Sequence, residues 1–446
     1  MNGILVEASS SDTTPLAPMR DETLLLYAPV PLYPNPDGGF LLEDQACNGL
    51  RLWAENFAKI IVMFPLAAEL PPPNWVPIEF VGASLARIEI VALPMAYRPD
   101  QFLRAFRTTR RKIRSLIQRA DLMSFSIGGL FGDWGSIAGL QAFFMHRRFA
   151  VWTDRVESEV TRRTMHSGPF RRRLRARLTH RLMAWYERVL IRRAAVGMFH
   201  GRDTFEAYAP YCVNPQVVHN AHVTHGDHIP AEILNRKMAD ARHGPLRICY
   251  VGRVEAMKGP YDWLAVLAGL AAQGVDFRAV WLGEGEDLEP MRARLNEIGL
   301  QDRVDLPGFA CDRTEVMEHL RSAHVMLFCH KTPESPRCLI EALVSGTPIV
   351  GYESAFPNDL IAGNSGGILT PLDDVDTLTK ALCALDADRA RLADLFARAA
   401  RDGVPFDDES VFRHRCEILR HYLLEAPERV AGIATTVINQ PPPQAS

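Results

Sequence analysis

Short apolar runs alternate with longer helical segments along most of this chain, and that rhythm restricts the folds open to it. In the first half, TLLLYAPV (23–30), KIIVMF (59–64), RIEIVAL (87–93), DLMSFSI (121–127), RFAVWT (148–153), VGMFH (196–200) and QVVHN (216–220) read as strands. The spacing between them predicts helices over 43–58, 99–120, near 135–146 and near 170–193. In the second half LRICYVG, FRAVWLG, RVDLPG, HVMLFC and PIVGY are the strands. Helices are expected from Tyr261, over 286–298 and 312–321, and from Leu339. Strands that are apolar throughout are buried on both faces, which calls for parallel sheets covered by helices on each side. At 446 residues the chain is too long for one ordinary core. The expected fold is therefore α/β, with two doubly wound Rossmann-like domains facing across a cleft.

Charge separates the same two halves. Residues 20–230 hold 27 Lys and Arg against 19 Asp and Glu, whereas 231–446 hold 23 against 32. Opposite signs suit domains with different partners. The expected boundaries are an N-terminal domain over 21–228, a polar linker over 229–245 and a second domain over 246–405. A helix over 406–426 is expected to return to the first domain, and 1–20 and 427–446 read as disordered. No apolar run reaches the ~18 residues of a membrane span. The N-terminus lacks the pattern of a signal peptide. The eight cysteines include no C-x-x-C pair and read as buried free thiols, so the expected address is the cytoplasm.

In doubly wound folds ligands bind beyond the C-terminal ends of the strands. The loop CYVGRVEAMKGPYDWL (249–264) carries Gly252, Arg253, Lys258 and Gly259 ahead of a helix opened by Pro260. Glycine lets backbone approach a ligand, and Arg, Lys and a helix N-terminus suit a phosphate. A solvated turn with two surface cations fits the same residues equally well. Gly283 and Gly285 follow the next strand, and Pro307-Gly308-Phe309 the one after, each also readable as an ordinary turn. ESPRCLIEALVSGTPIVGY (334–352) then places Glu334 and Glu341 around Arg337, Cys338 and Leu339. Glu341 stands among apolar neighbours and needs a partner, for which a ligand hydroxyl qualifies.

These segments carry a resemblance. Residues 246–405 resemble the nucleotide-sugar half of retaining glycosyltransferases of the GT-B architecture, family 4. GRVEAMKG, LGEGEDLEPMRARLNEIGLQDRVDLPGF, PESPRCLIEALVSGTPIVGY and GGILTPLDDVDTLTKAL stand in the family's order and spacing. The resemblance implies that Arg253 and Lys258 bind the donor diphosphate and stabilise it as it leaves. It implies that Glu341 holds the ribose and Glu334 the donor sugar, with backbone N–H groups at Cys338 and Leu339 meeting phosphate. Gly252, Gly283, Gly285 and Phe309 would line the donor, and Arg337 would assist an anionic group on it. In retaining members a leaving phosphate oxygen takes the acceptor proton, so no cofactor or metal is expected. One departure is visible: six residues separate Glu334 from Glu341 where the family commonly has seven.

The first half resembles the family less. Gly38-Gly39 is similar to the family's loop between donor and acceptor, and Asp154 stands near the place of a histidine common in the family. Its implied role is on the acceptor side. His219, His222, His225 and His228 have ligand-like spacing, but neither a Cys nor an acid completes the set, and a polar linker is the reading taken. The basic helix 171–193 carries an apolar stripe that suits either packing on the sheet or contact with the inner face of a membrane. The expected partners are a nucleotide sugar and a glycan or lipid-linked acceptor; no nucleic-acid motif is present. A two-Rossmann nucleotide-sugar epimerase and a non-catalytic nucleotide-sugar binder are the alternatives.

Overall fold

The protein is described by a computed structural model covering residues 21–424, except 68–70, 72–74, 164–169, 222, 311 and 333–334. Glu334 and both expected disordered ends lie outside the described residues. The chain opens with β1 (Thr23–Tyr27), a hairpin of β2 (Tyr33–Pro34) and β3 (Phe40–Glu43), and α1 (Asp44–Asn56). It continues through β4 (Lys59–Leu66), β5 (Trp75–Pro77), β6 (Ile88–Pro94), α2 (Pro99–Arg119), β7 (Leu122–Ser126) and α3 (Trp134–Phe144). Then come β8 (Ala150–Thr153), α4 (Glu157–Arg163), α5 (Phe170–Ile191), β9 (Val196–His200), α6 (Gly201–Tyr208) and β10 (Pro215–Val218).

Seven of these strands form one parallel sheet in the order β10-β9-β8-β7-β1-β4-β6. β2, β3 and β5 make a small antiparallel sheet beside it. Apolar clusters fill both faces of the large sheet, as its buried central strands require.

The second half starts with a helix, α7 (Ala231–Asp240), inside the stretch expected to be linker. Its Leu234 and Met238 pack on the second core. Lys237 is buried and donates to Thr347 Oγ1 at 2.6 Å. The stretch is polar in composition but amphipathic in space. β11 (Leu246–Val251), α8 (Pro260–Ala272), β12 (Phe277–Leu282), α9 (Leu288–Glu297) and β13 (Val304–Gly308) follow. The rest is α10 (Arg313–Ser322), β14 (Val325–Phe328), α11 (Arg337–Val344), β15 (Ile349–Tyr352), α12 (Ala355–Leu360), β16 (Gly367–Thr370), α13 (Val375–Ala387) and α14 (Arg389–Gly403). The sheet is parallel, ordered β13-β12-β11-β14-β15-β16.

A last helix, α15 (Asp408–Leu424), packs Cys416, Ile418, Leu419 and Leu423 into the first domain's core. Arg420 Nε donates to Glu22 Oε2 at 2.8 Å, and Asn48 Nδ2 to Asp408 Oδ2 at 2.9 Å. The outbound and returning chain segments meet where Asp408 N donates to Val223 O at 2.7 Å. The described cysteines are free, with Cys47, Cys249, Cys329 and Cys416 buried. No described helix is long and apolar enough to cross a membrane.

Candidate functional site

Strand order reverses between β11 and β14 in the second sheet, and between β1 and β7 in the first. At such a point neighbouring loops diverge and leave a crevice. The loops after β11 and β14 are the ones that carry Arg253–Lys258 and the approach to Arg337–Glu341. Lys331 N donates to Met257 O at 2.8 Å and ties the two loops together. Gly259 has φ +66°, and a Cβ there would lie 2.1 Å from the Cys329 carbonyl oxygen. Only glycine permits that approach. The loops after β11 and β12 are equally close: a Cβ on Gly283 would sit 1.9 Å from the Gly252 oxygen, and one on Gly285 would sit 2.1 Å from the Val254 oxygen. Gly283 N in turn donates to Gly308 O at 2.8 Å. Four strand ends thus form one continuous backbone surface.

The side chains on that surface differ in setting. Arg253 is 73% exposed and pairs with Glu255 at 2.8 Å. Lys258 is buried beside His330. Burial first, then Lys258, pushes the His330 pKa down to about 3, so this imidazole is neutral at pH 7. Its Nε2 shares a 2.7 Å hydrogen bond with Tyr250 Oη. Lys331 reaches Asp262 and, at 2.6 Å, Asp373 Oδ1, which pins the loop after β14 to the start of α8. Phe309 is 66% exposed at the rim.

Helix α11 starts at Arg337, two residues before the sequence expectation, because Pro336 takes the N-cap. Leu339, Ile340, Ala342, Leu343 and Val344 are buried, leaving Glu341 on the open side with 15% of its side chain exposed. Glu341 Oε1 accepts from Arg313 Nη1 at 3.1 Å, and Arg313 Nη2 reaches Asp227 Oδ2 at 3.1 Å. Arg337 crosses the cleft to donate to Gln45 Oε1 at 2.8 Å. The cleft walls crowd its guanidinium and lower its pKa, while Asp154, Glu43 and Glu341 act in the opposite direction.

On the facing domain, a cavity of about 210 Å³ opens at the ends of β1, β8 and β9. Trp53, Trp152, Met198 and Phe412 supply apolar wall, and Asp154, Asn220, Arg415 and Arg337 supply polar groups. Asp154 accepts from Asn220 Nδ2 at 2.8 Å. Arg415, half-buried on α15, donates to His219 O at 2.7 Å and to Asn220 Oδ1. Burial pushes His200, next in the row, down to about 4, against the pull of Asp154. Gly38 and Gly39 lie apart from this wall. They form the exposed turn between β2 and β3, with φ +103° and +77°, where Asn35 N donates to Gly39 O at 3.1 Å.

Residues 233–402 match the family Glycosyl transferases group 1. Among curated proteins, the chain is 31% identical over 248 residues to a 2-deoxystreptamine N-acetyl-D-glucosaminyltransferase of Streptomyces fradiae, covering 51% of this chain and 58% of that protein. It is 29% identical over 198 residues to the amylovoran biosynthesis glycosyltransferase AmsK of Erwinia amylovora, covering 43% and 48%. The alignments therefore span about half the length of these relatives. Among solved structures, Anabaena Alr3699/HepE in complex with UDP superposes with a TM-score of 0.60 at 14% identity, over 90% of this chain and all of that one. Sucrose-phosphate synthase of Thermosynechococcus elongatus gives 0.59 at 15% identity, over 90% and 98%. The architecture is GT-B, two Rossmann-like domains around a cleft.

Within this two-domain framework the motif residues of the second half stand on the segment that matches the family model, while some of their neighbours carry no sequence signal. Arg313, Asn220, His200 and Gln45 meet the site only through tertiary structure. Arg415 joins the cavity wall from the returning helix α15. Of the apolar stripe of α5, Leu174, Leu182 and Trp185 are exposed, whereas Glu187, Leu190 and Ile191 are buried. Ser158 N and Oγ donate to the Glu187 carboxylate at 3.0 and 2.7 Å, which lets that acid occupy the inner face.

Proposed function

We propose that the protein is a retaining glycosyltransferase of family 4, moving a sugar from a nucleotide-sugar donor to an acceptor hydroxyl without a metal. One observation carries this reading: Arg337 of the group 1 domain and Asp154 of the facing domain line a single cavity. In this reading Arg253 and Lys258 hold the diphosphate and stabilise the charge that develops as it leaves. N–H groups at the start of α11 add to that field. Glu341 accepts from ribose hydroxyls, Glu334 from the donor sugar, and Asp154 orients the acceptor. Gly252, Gly283, Gly285 and Phe309 form the surface beneath the nucleotide. Catalysis then rests on positioning and charge stabilisation.

The aromatic wall of the cavity supports an acceptor with a ring or an apolar portion. The exposed Leu182 and Trp185 beside Arg177 and Arg181 on α5 support peripheral contact with an anionic cytoplasmic membrane surface, hence a lipid-linked acceptor. The test has two stages. A thermal-shift screen against UDP-, GDP- and ADP-sugars should find a donor that raises the melting temperature by mass action. NMR of the product should then give the donor's anomeric configuration. An inverted product overturns retention, and donor binding without transfer or hydrolysis leaves a binding protein.

A further inference from the structure

Of the histidines in 219–228, His222 lies outside the described residues, and the fold gives the others separate tasks. His219 Nε2 lies 2.8 Å from Asp359 Oδ2 and packs against Phe356 and Phe406. His225 and His228 stand on the turn that leaves the first domain, with ring centroids 5.6 Å apart. The acid that the sequence withheld comes from far along the chain. Asp407, the residue before α15, brings a carboxylate oxygen 3.8 Å from His228 Nε2. One ligating atom from each of His225, His228 and Asp407 lies within 4.8 Å of the other two. His228 Nε2 is buried and has no hydrogen-bond partner among the described residues.

Ligand atoms at about 2.0–2.2 Å from a tetrahedral ion are separated by about 3.4 Å. The observed spacing is within a side-chain rotation of that value. Two imidazoles and one carboxylate form a donor set suited to borderline divalent ions and unsuited to magnesium. The supporting groups are already fixed. Asp407 accepts from Ser410 N and Oγ, both at 2.8 Å, and Thr224 and Asp227 close a capping box around the turn that carries His225. His225 is exposed, so an ion has a path from solvent.

We propose that His225, His228 and Asp407 bind one divalent first-row transition ion, zinc above all, with water completing the shell. The site sits where the chain crosses from one domain to the other and back, beside the contact between Asp408 N and Val223 O. A bound ion joins those two crossings and holds the angle between the domains. The ion takes no part in the proposed transfer chemistry, although Asp227, between the two histidines, is tied to Glu341 through Arg313.

The test uses the untagged full chain and zinc chloride alone. Equilibrium dialysis with elemental analysis should give one zinc per chain, and magnesium should give none. His225→Ala, at an exposed position, should weaken zinc binding at least tenfold while leaving the melting temperature of the zinc-free protein unchanged. His225→Ala/His228→Ala should abolish binding. Zinc should also slow backbone hydrogen exchange in 223–229 and 406–410 together, in the wild type only. No binding tighter than about 100 µM, or binding that survives the double substitution, overturns the site. Zinc that binds without protecting the 406–410 segment overturns its role as a tie. None of these readouts depends on glycosyl transfer.

Discussion

Arg253 pairs with Glu255 and is otherwise open to solvent, while Lys258, five residues on, is buried. Both are assigned to the diphosphate, so Arg253→Ala and Lys258→Met should each lower kcat/KM at least ~100-fold, or about 2.7 kcal/mol. Steady-state transfer at matched melting temperature checks this, and near-wild-type turnover in both returns the loop to a structural turn. Glu341 already has Arg313 as a partner, yet a carboxylate can accept further hydrogen bonds. Glu341→Gln should therefore weaken nucleotide binding by about 1.5–3 kcal/mol in calorimetry, with the helix intact by circular dichroism. Unchanged affinity would leave Glu341 as an anchor for Arg313. His324 is fully buried and burial pushes its pKa down to about 3. Its unfolded value is near 6.5, so the unfolded chain takes up the proton first. The stability it contributes is complete above about pH 6.5 and is lost as pH falls toward 3. In urea titrations His324→Asn should flatten the acid-side slope by up to about 1.4 kcal/mol per pH unit, and an unchanged slope would remove this residue from the cause of acid lability.

At the scale of elements, the loop after β11 depends on one backbone geometry. Gly259→Ala puts a methyl group onto the Cys329 oxygen at a positive φ, so the β11 and β14 loops must separate. Transfer should fall at least tenfold while the melting temperature drops by only a few degrees; an unaltered rate would show that the loops need not touch. The central strands were legible in the sequence because both faces are buried and their apolar runs are continuous. β2, of two residues, and the hairpin around Gly38-Gly39 were not, since so short a pairing leaves no periodic pattern. Helix α7 was hidden by its polar composition, with Lys237 buried against Thr347 rather than an apolar residue marking its inner face. The same division holds at the site. Loops that follow strands carry local signals, and Gly252, Lys258 and Glu341 could be picked out from them. Arg313 and Asp407 could not, because a partner that arrives from 28 or more residues away is fixed by packing, not by spacing.

On the scale of the molecule, the positive first half and negative second half place the basic helix α5 on the domain assigned to the acceptor. Exposed Leu182 and Trp185 beside Arg177 and Arg181 should bind anionic vesicles, each cation contributing about 1 kcal/mol at the surface. Sedimentation should show binding that weakens as salt rises and is lost in Arg177→Glu/Arg181→Glu/Trp185→Ala, with nucleotide binding retained. Wild-type protein that ignores such vesicles at low salt would favour a soluble acceptor. The return of α15 onto the first domain has a consequence in time. Leu419 and Cys416 complete the apolar cluster that holds Leu24, Leu26 and Val62, and they follow the last strand of that sheet by roughly 200 residues. At about 5–20 residues per second, a ribosome takes about 10–40 s to deliver that cover. Throughout that interval the nascent first domain displays an apolar face to the cell, and a chain that stops short of residue 408 never hides it.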